Sequence, residues 1–461
     1  MNHYSKRRNF LKNLGGAAVA AAITPDSFGK SSGPGILETR QRMPVSANDK
    51  IRVGLVGTGG MGIGDMQTAL MVEGVEIAAA CDLYDGRLKR ARELWGKDLF
   101  VTRDYRELLQ RKDIDVIINA TVDHWHSRIS IDSLAAGKHV YSEKPMVKHI
   151  EEGHALIAAQ EKYKKVFQVG SQFVSSIIHA KAKELIRAGE IGEVNFAEVQ
   201  IDRHSAIGAW QYTLPLDASD KTVDWEAYIQ PVKKKLPFDA NQFFRWRNYQ
   251  EFGTGAAGDL YVHMLSMLHF VLDSKGPTRV MSTGGIRYWK DGRDVPDIHL
   301  GLFDYPKTAS HGPFNLSLRT NLASGGGENY LFRIAGSEGD ISIGWDNLVL
   351  RRTPFPKAPG LSIGSFDSEM QDRVKKDYSV KYPEKFEMTP PAEQVFKTPK
   401  NYKGDRYEHF VNFFESIRHQ KPVVEDAVFG LRACGPTVAG NISYYENRIV
   451  EWDPEKMVIK A

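Results

Sequence analysis

The chain has 461 residues, 42% of them hydrophobic, enough to bury a large core and to form two or three domains. Its net charge of +4 resides in the first 30 residues, where Lys6, Arg7, Arg8, Lys12 and Lys30 are opposed only by Asp26. The remainder is therefore close to neutral and lacks the electrostatic footprint of a nucleic-acid partner.

Residues 5–25, SKRRNFLKNLGGAAVAAAITP, have the three parts of a secretory signal: a basic start, an apolar run at 15–23, and small residues around a cleavage point. Nine residues are too few for a run to cross hydrocarbon, which takes about 20, so no stable membrane anchor is expected. The paired arginines Arg7 and Arg8 in KRRNFLK resemble the twin-arginine export signal, read by machinery that moves folded proteins. That resemblance implies an exported, periplasmic protein with the twin-arginine machinery as a transient partner. The signal and a Gly/Pro/Ser-rich tail occupy 1–48.

From Ile51 short apolar strands at 51–56, 75–81, 116–120 and 139–141 alternate with helical stretches such as 86–95 and 128–136. A further strand at 166–170 closes the unit. This alternation predicts a doubly wound parallel sheet over 49–170. In VGLVGTGGMGIGDM, Gly57, Gly59 and Gly62 fit G-x-G-x-x-G directly after a strand. Such glycines give a tight turn, close backbone approach to a pyrophosphate and close helix packing, and the next helix offers its free N–H groups, with Gly60 and Met61 in the same turn. Asp82 lies twenty residues past Gly62 at the end of the next strand, where a carboxylate takes a ribose 2′-hydroxyl and repels a 2′-phosphate. NAD is favoured over NADP, although Arg87 nearby softens the preference.

After 171 the pattern changes. A helix at 179–188 precedes strands with period-two alternation at 194–202, 280–288, 299–305, 314–320 and 330–336. Successive strands separated by turns predict a mainly antiparallel open sheet in an α+β domain spanning 171–461. The Pro- and Lys-rich stretch 351–403 reads as a surface insertion, and helices at 406–419 and 427–446 end the chain. Cys81 and Cys434 fall on separate elements, which argues against a disulfide framework.

Two segments carry candidate chemistry. NATVDHWHSRISIDSLAAGKHVYSEKPM puts Thr121, His124 and His126 after one strand and Glu143-Lys144-Pro145 after the next, both at the carboxyl edge of the sheet where ligands bind. Over about 51–453 the chain resembles the glucose-fructose oxidoreductase and inositol dehydrogenase (Gfo/Idh/MocA) family, with Glu-Lys-Pro as its most specific mark. The resemblance implies that Lys144 reaches the nicotinamide and the substrate hydroxyl, that Glu143, Thr121 and His126 lie at the cofactor, and that the protein forms a homo-oligomer. Lysine suits proton exchange with a hydroxyl when a cationic nicotinamide lies beside it.

The second segment, GTGAAGDLYVHMLSMLHF, sets Asp259 and His263 four apart on one helix face. By the resemblance His263 is the general base and Asp259 its partner or a sugar-hydroxyl ligand; histidine suits the task because it titrates near working pH. Upstream, Trp246 or Phe244 is a candidate sugar-stacking ring and Arg245 and Arg247 candidate ligands of hydroxyls or an acidic group, the alternative being a packed aromatic cluster capped by exposed arginines. Gln172 stands where many relatives carry a basic or polar pair. His124, His126, Asp259 and His263 could be combined into a metal site, but His-x-His without a third ligand at short spacing is weak, so no metal is assigned and His124 reads as structural.

These residues predict an exported NAD-dependent oxidoreductase acting on a hydroxyl carbon of a sugar, glycoside or derivative. Free NAD is scarce outside the cytoplasm, so the cofactor should be tightly held. One alternative is a glycosidase that oxidises its sugar transiently, eliminates, and returns the hydride. Another is a non-enzymatic sugar sensor, against which the retained Lys, Asp and His argue.

Overall fold

The computed structural model describes residues 35–39, 50–232, 234–353, 361–383 and 392–460. The expected export signal at 5–25 lies outside the described residues, as does most of the tail that follows it. After a two-residue strand, β1 (Gly35–Ile36), come β2 (Ile51–Val56), α1 (Gly60–Ala69), β3 (Val75–Cys81), α2 (Asp85–Trp95), β4 (Phe100–Thr102) and α3 (Tyr105–Gln110). They are followed by β5 (Val116–Asn119), α4 (Asp123–Ala135), β6 (His139–Ser142), α5 (Ile150–Tyr163) and β7 (Phe167–Val169). β2 to β7 form a parallel sheet in the order β4-β3-β2-β5-β6-β7. The central strands read as nearly continuous apolar runs because helices cover both faces.

Register does the functional work here. Val56 pairs with Cys81 on one side and with Asn119 on the other, and Asn119 pairs with Ser142. The residues that follow each strand, Gly57, Asp82, Thr121 and Glu143, are thereby brought to one edge of the sheet. The strand order reverses between β2 and β5, which opens a crevice there. Helix α4 starts earlier than the expected 128: Asp123 to Ser127 are all buried, so this turn has no amphipathic pattern to read. His124 and His126 therefore sit inside a helix rather than in a loop.

The second part of the chain runs α6 (Ile177–Arg187), β8 (Val194–Asp202), two short helices α7 (Trp225–Tyr228) and α8 (Ala240–Phe244), then a π-helical turn (Ala257–Tyr261) leading into α9 (Val262–Leu272). Strands β9 (Arg279–Gly285), β10 (Ile298–Tyr305), β11 (Phe314–Asn321), β12 (Asn329–Gly336), β13 (Gly339–Ile343) and β14 (Asn347–Arg352) follow. β9 stops before the expected 288, at Gly285 with φ +151°. Helix α10 (Ser368–Lys381) belongs to a unit separate from the one that holds the two sheets.

The chain ends with β15 (Glu393–Lys397), α11 (Asp405–His419), α12 (Ala427–Glu446), β16 (Val450–Asp453) and β17 (Val458–Ile459). The larger sheet has the order β1-β15-β14-β13-β12-β8-β11-β10-β9-β16-β17 and is mainly antiparallel, with parallel β1–β15 and β8–β11 pairs. The stretch expected as an insertion, 351–403, thus gives its first residues to β14 and Glu393–Lys397 to β15; alternation over five residues was too short a signal against the surrounding prolines. α9 is buried almost all round, between α6 and α12 beneath the sheet. α11 returns to the parallel sheet, where Phe410 stacks on Tyr141 of β6 at 4.3 Å.

His179 on α6 is 3% exposed, with neither ring nitrogen hydrogen-bonded, and burial pushes it down to about 3. A depressed histidine contributes stability that is fully present above its unfolded value and lost as pH falls, because only the unfolded chain takes up the proton. Relative to wild type, His179→Phe is expected to gain about 2 kcal/mol between pH 7 and pH 5, measured by urea unfolding at each pH; a constant difference would contradict the assignment.

Candidate active site

The glycine turn is shaped by what cannot fit into it. Gly57 has φ +91°, and a Cβ there would collide with the carbonyl of Ala120; a Cβ on Gly62 would collide with the carbonyl of Gly57. At Gly60 a Cβ would meet nothing within 4 Å, so this turn faces open space. It borders a cleft of about 660 Å³ lined also by Gly59, Met61, Asp82 and Thr121 from the first domain, and by Tyr212, Trp246 and Arg247 from the second. Asp82 is 6% exposed; its Oδ2 accepts from the Thr58 N–H at 2.8 Å and its Oδ1 from the Tyr84 N–H at 3.0 Å, which fixes the carboxylate at the cleft wall. Arg87 stands 3.6 Å from Asp82 with its guanidinium over the Phe244 ring. A backbone cradle at a helix N-terminus, with a fixed carboxylate one strand away, fits a dinucleotide.

Beside this cleft lies a buried knot of charge. Lys144 Nζ donates to the Asp259 main-chain oxygen at 2.8 Å and to its Oδ1 at 2.7 Å, and Arg247 Nε donates to the same Oδ1 at 2.9 Å. Burial alone would raise the Asp259 carboxyl, but Lys144 and Arg247 hold it well below the usual range, so it is ionised. Arg247 in turn lies over the Trp246 ring at 4.2 Å. Asp259 lies in the π-helical turn, and its carbonyl accepts from Lys144 outside the helix. Asp123 of α4 anchors the approach to that turn, its Oδ2 accepting from Thr254 N at 2.9 Å and Thr254 Oγ1 at 2.6 Å.

Several expected site residues are arranged differently from what helical spacing suggests. The carboxylate of Asp259 is taken by two cations and does not pair with His263, because the π turn alters the i,i+4 relation on which that pairing relied. His263 is half-buried against Phe173, at 5.1 Å between ring centroids, with Nδ1 buried and unbonded. Burial first, then Lys144, pushes it well below the ordinary histidine value. It is therefore a neutral imidazole that can accept a proton, not one poised at neutral pH.

His126 does not line the cleft. It is 1% exposed, with Nδ1 2.7 Å from the Pro145 carbonyl and Nε2 3.3 Å from that of Thr121, so it props the Lys144-Pro145 turn from behind. Glu143 also turns inward. It faces the buried carboxyl of Asp65 on α1, and burial raises both. Arg245 donates to Tyr212 O at 2.7 Å and Gln211 Oε1 at 2.9 Å, outside the cleft lining. Gln172 opens a short 3₁₀ turn, Gln172–Ser175, whose next residue is Phe173.

His124 Nε2 lies 2.9 Å from the Tyr228 carbonyl and Nδ1 3.3 Å from that of Phe252; burial pushes it down to about 4, so the neutral ring donates to only one of them. Among the described residues no group of three His, Cys, Asp or Glu side chains is arranged to hold a metal. Sequence reasoning missed Arg203, after β8, whose charge acts on both Asp259 and His263. No motif marks it, since it reaches the site only through the sheet.

Comparison with known proteins places this geometry. Residues 51–171 match the family description "Oxidoreductase family, NAD-binding Rossmann fold", and 183–450 match its C-terminal alpha/beta domain. Among curated proteins, a glycosyl hydrolase family 109 protein of Shewanella baltica (strain OS155) is 28% identical over 243 residues, 49% of this chain and 51% of that protein. An alpha-N-acetylgalactosaminidase of Shewanella oneidensis is 27% identical over 250 residues, with the same shares. The chain thus spans about half the length of these curated relatives. Among solved structures, levoglucosan dehydrogenase with NADH and levoglucosan superposes with TM-score 0.61 at 18% identity, covering 87% of this chain and 99% of that one. A WlbA dehydrogenase from Chromobacterium violaceum with NADH and UDP-GlcNAcA gives 0.61 at 19% identity, covering 89% and 99%. Identities this low show a shared fold.

Asp82→Ala is expected to raise the NADP to NAD preference by about tenfold or more, since it removes the repulsion of a 2′-phosphate and frees Arg87 to meet it. Titration of both cofactors by fluorescence checks this; an unchanged preference would remove Asp82 from the ribose.

Proposed function

The chain belongs to the Gfo/Idh/MocA oxidoreductase family, and we propose that it acts on a hydroxyl-bearing carbon of a sugar, glycoside or sugar derivative, outside the cytoplasm and with its NAD tightly held. The observation that carries this reading is the Lys144–Asp259–Arg247 knot, which reaches the wall of the dinucleotide cleft through Arg247. Bound NAD supplies the acceptor for a hydride and, once reduced, a donor for its return. The chain's own residues manage the oxygen and its proton. Lys144 spends two of its three N–H donors on Asp259, which leaves one to direct at a substrate oxygen. His263, a neutral and half-buried imidazole, takes the hydroxyl proton on Nε2, its Nδ1 being buried. Lys144 and Asp259 are each 6% exposed, so water is largely excluded and the charge pattern acts at full strength.

Export rests on the twin-arginine-like stretch at 5–25, which would carry a protein already folded around its cofactor. Homo-oligomerisation is supported by exposed apolar side chains on β9 and β10: Met281, Leu300 and Leu302.

A second reading is favoured by the curated relatives, which are named as glycosidases. The same residues would oxidise a glycoside, remove the acidified hydrogen next to the transient ketone, expel the leaving group by elimination, and end redox-neutral after addition of water and return of the hydride. The two readings differ in where the hydride finishes. Glycosides incubated with the protein in deuterated water, with and without an electron acceptor, are expected to give a keto sugar that accumulates only with acceptor. Quantitative hydrolysis without keto product, with deuterium on the carbon next to the oxidised one, would overturn the dehydrogenase in favour of the glycosidase.

A further inference from the structure

Trp345 occupies the turn between β13 and β14 and is 66% exposed. Burying an indole is among the larger gains available to a fold, so one left in solvent contributes little to this one. It is nonetheless held in place. Its ring stacks on Tyr330 of β12 at 4.3 Å and 28° and meets Phe173 at 5.8 Å. The turn that carries it is closed by a Gly344 N–H to Asn347 O bond of 2.8 Å, and the neighbouring Asp346 carbonyl accepts from Thr398 N at 3.0 Å. Tyr330 is itself seated on α9, its hydroxyl 3.8 Å from Met267 Sδ.

The plane is thus ordered before any ligand arrives, which lowers the entropy cost of using it. Phe173 also touches His263, so Trp345, Phe173 and His263 make one continuous aromatic wall that ends at the imidazole assigned to the hydroxyl proton. Asp346 and Asn347 flank the indole in sequence, and Asp346 is exposed. An apolar plane with adjacent carboxylate and amide groups suits a sugar ring, whose C–H face packs on an aromatic while its rim of hydroxyls needs polar partners.

We propose that Trp345 is a stacking platform for the outer ring of a disaccharide or longer glycoside, the unit attached to the sugar that reacts at Lys144 and His263. This rests on the sugar reading given above and extends it from a free sugar to a glycoside whose second ring is also bound. The proposal concerns binding alone and adds no chemical step.

The test uses the full chain with its NAD and matched probes: the methyl glycosides of glucose, galactose and their 2-acetamido analogues, and disaccharides that carry the same sugars at the non-reducing end. Wild type is expected to favour the disaccharides in kcat/KM. Trp345→Ala should collapse the disaccharide-to-methyl ratio by about tenfold, while Trp345→Phe keeps most of it. Saturation-transfer NMR should show the outer ring saturated in wild type and not in Trp345→Ala. A ratio unchanged within about twofold, with equal saturation of the outer ring in both proteins, would overturn the subsite. Failure of the oxidoreductase reading looks different: no probe would be turned over, yet the NMR comparison would still decide whether Trp345 holds a sugar.

Discussion

The candidate site hangs on one buried carboxylate. Asp259 receives Lys144 from the turn after β6 of the parallel sheet and Arg247 from the loop of the second domain, so a single Oδ1 atom ties the two domains together. Burying three charges costs several kcal/mol per ion unless each is matched, and here the attraction is concentrated where desolvation is greatest. The same arrangement dictates function. It leaves Lys144 pinned, oriented and shielded beside the cleft, with Arg247 forming part of the cleft wall. Two supports behind it engage backbone: His126 lies under the Pro145 carbonyl and Asp123 accepts from the Thr254 N–H as well as its hydroxyl.

The dinucleotide cleft and the charge knot are separate solutions to separate problems. The cleft is made by absence, since Gly57 and Gly62 keep the first turn close to Ala120 and let the backbone face outward. The knot is made by excess, with two cations on one anion. They meet because strand register brings the ends of β2, β3, β5 and β6 to one edge, and because the second domain sends the loop carrying Trp246 and Arg247 back over it.

How much of this was legible in the sequence follows from how local each feature is. The glycine turn and Asp82 are read within one strand-turn-helix and its neighbour, and the parallel and antiparallel sheets within the periodicity of their strands. Lys144 is marked by its motif. The partner of Asp259 is not readable, because a π turn breaks the helical spacing and the competing cations come from Lys144, 115 positions away, and from another loop. Arg245 and Arg247 look alike in sequence, yet only Arg247 reaches the knot. His126 and Glu143 lie at the edge that the sequence indicates, while the inward turn of their side chains is decided by tertiary packing. Trp345 carries no signal at all: its significance comes from the ring partners that β12 and the turn after β7 bring to it.

The most direct test of the central claim is single-turnover hydride transfer in NAD-loaded protein mixed with a sugar that wild type oxidises, followed by the absorbance of reduced cofactor in wild type and Lys144→Ala. The account predicts that NAD remains bound while the transfer rate falls by about 10²–10⁴. A wild-type rate in the variant would contradict it, because the pinned lysine would then have no part in the chemistry.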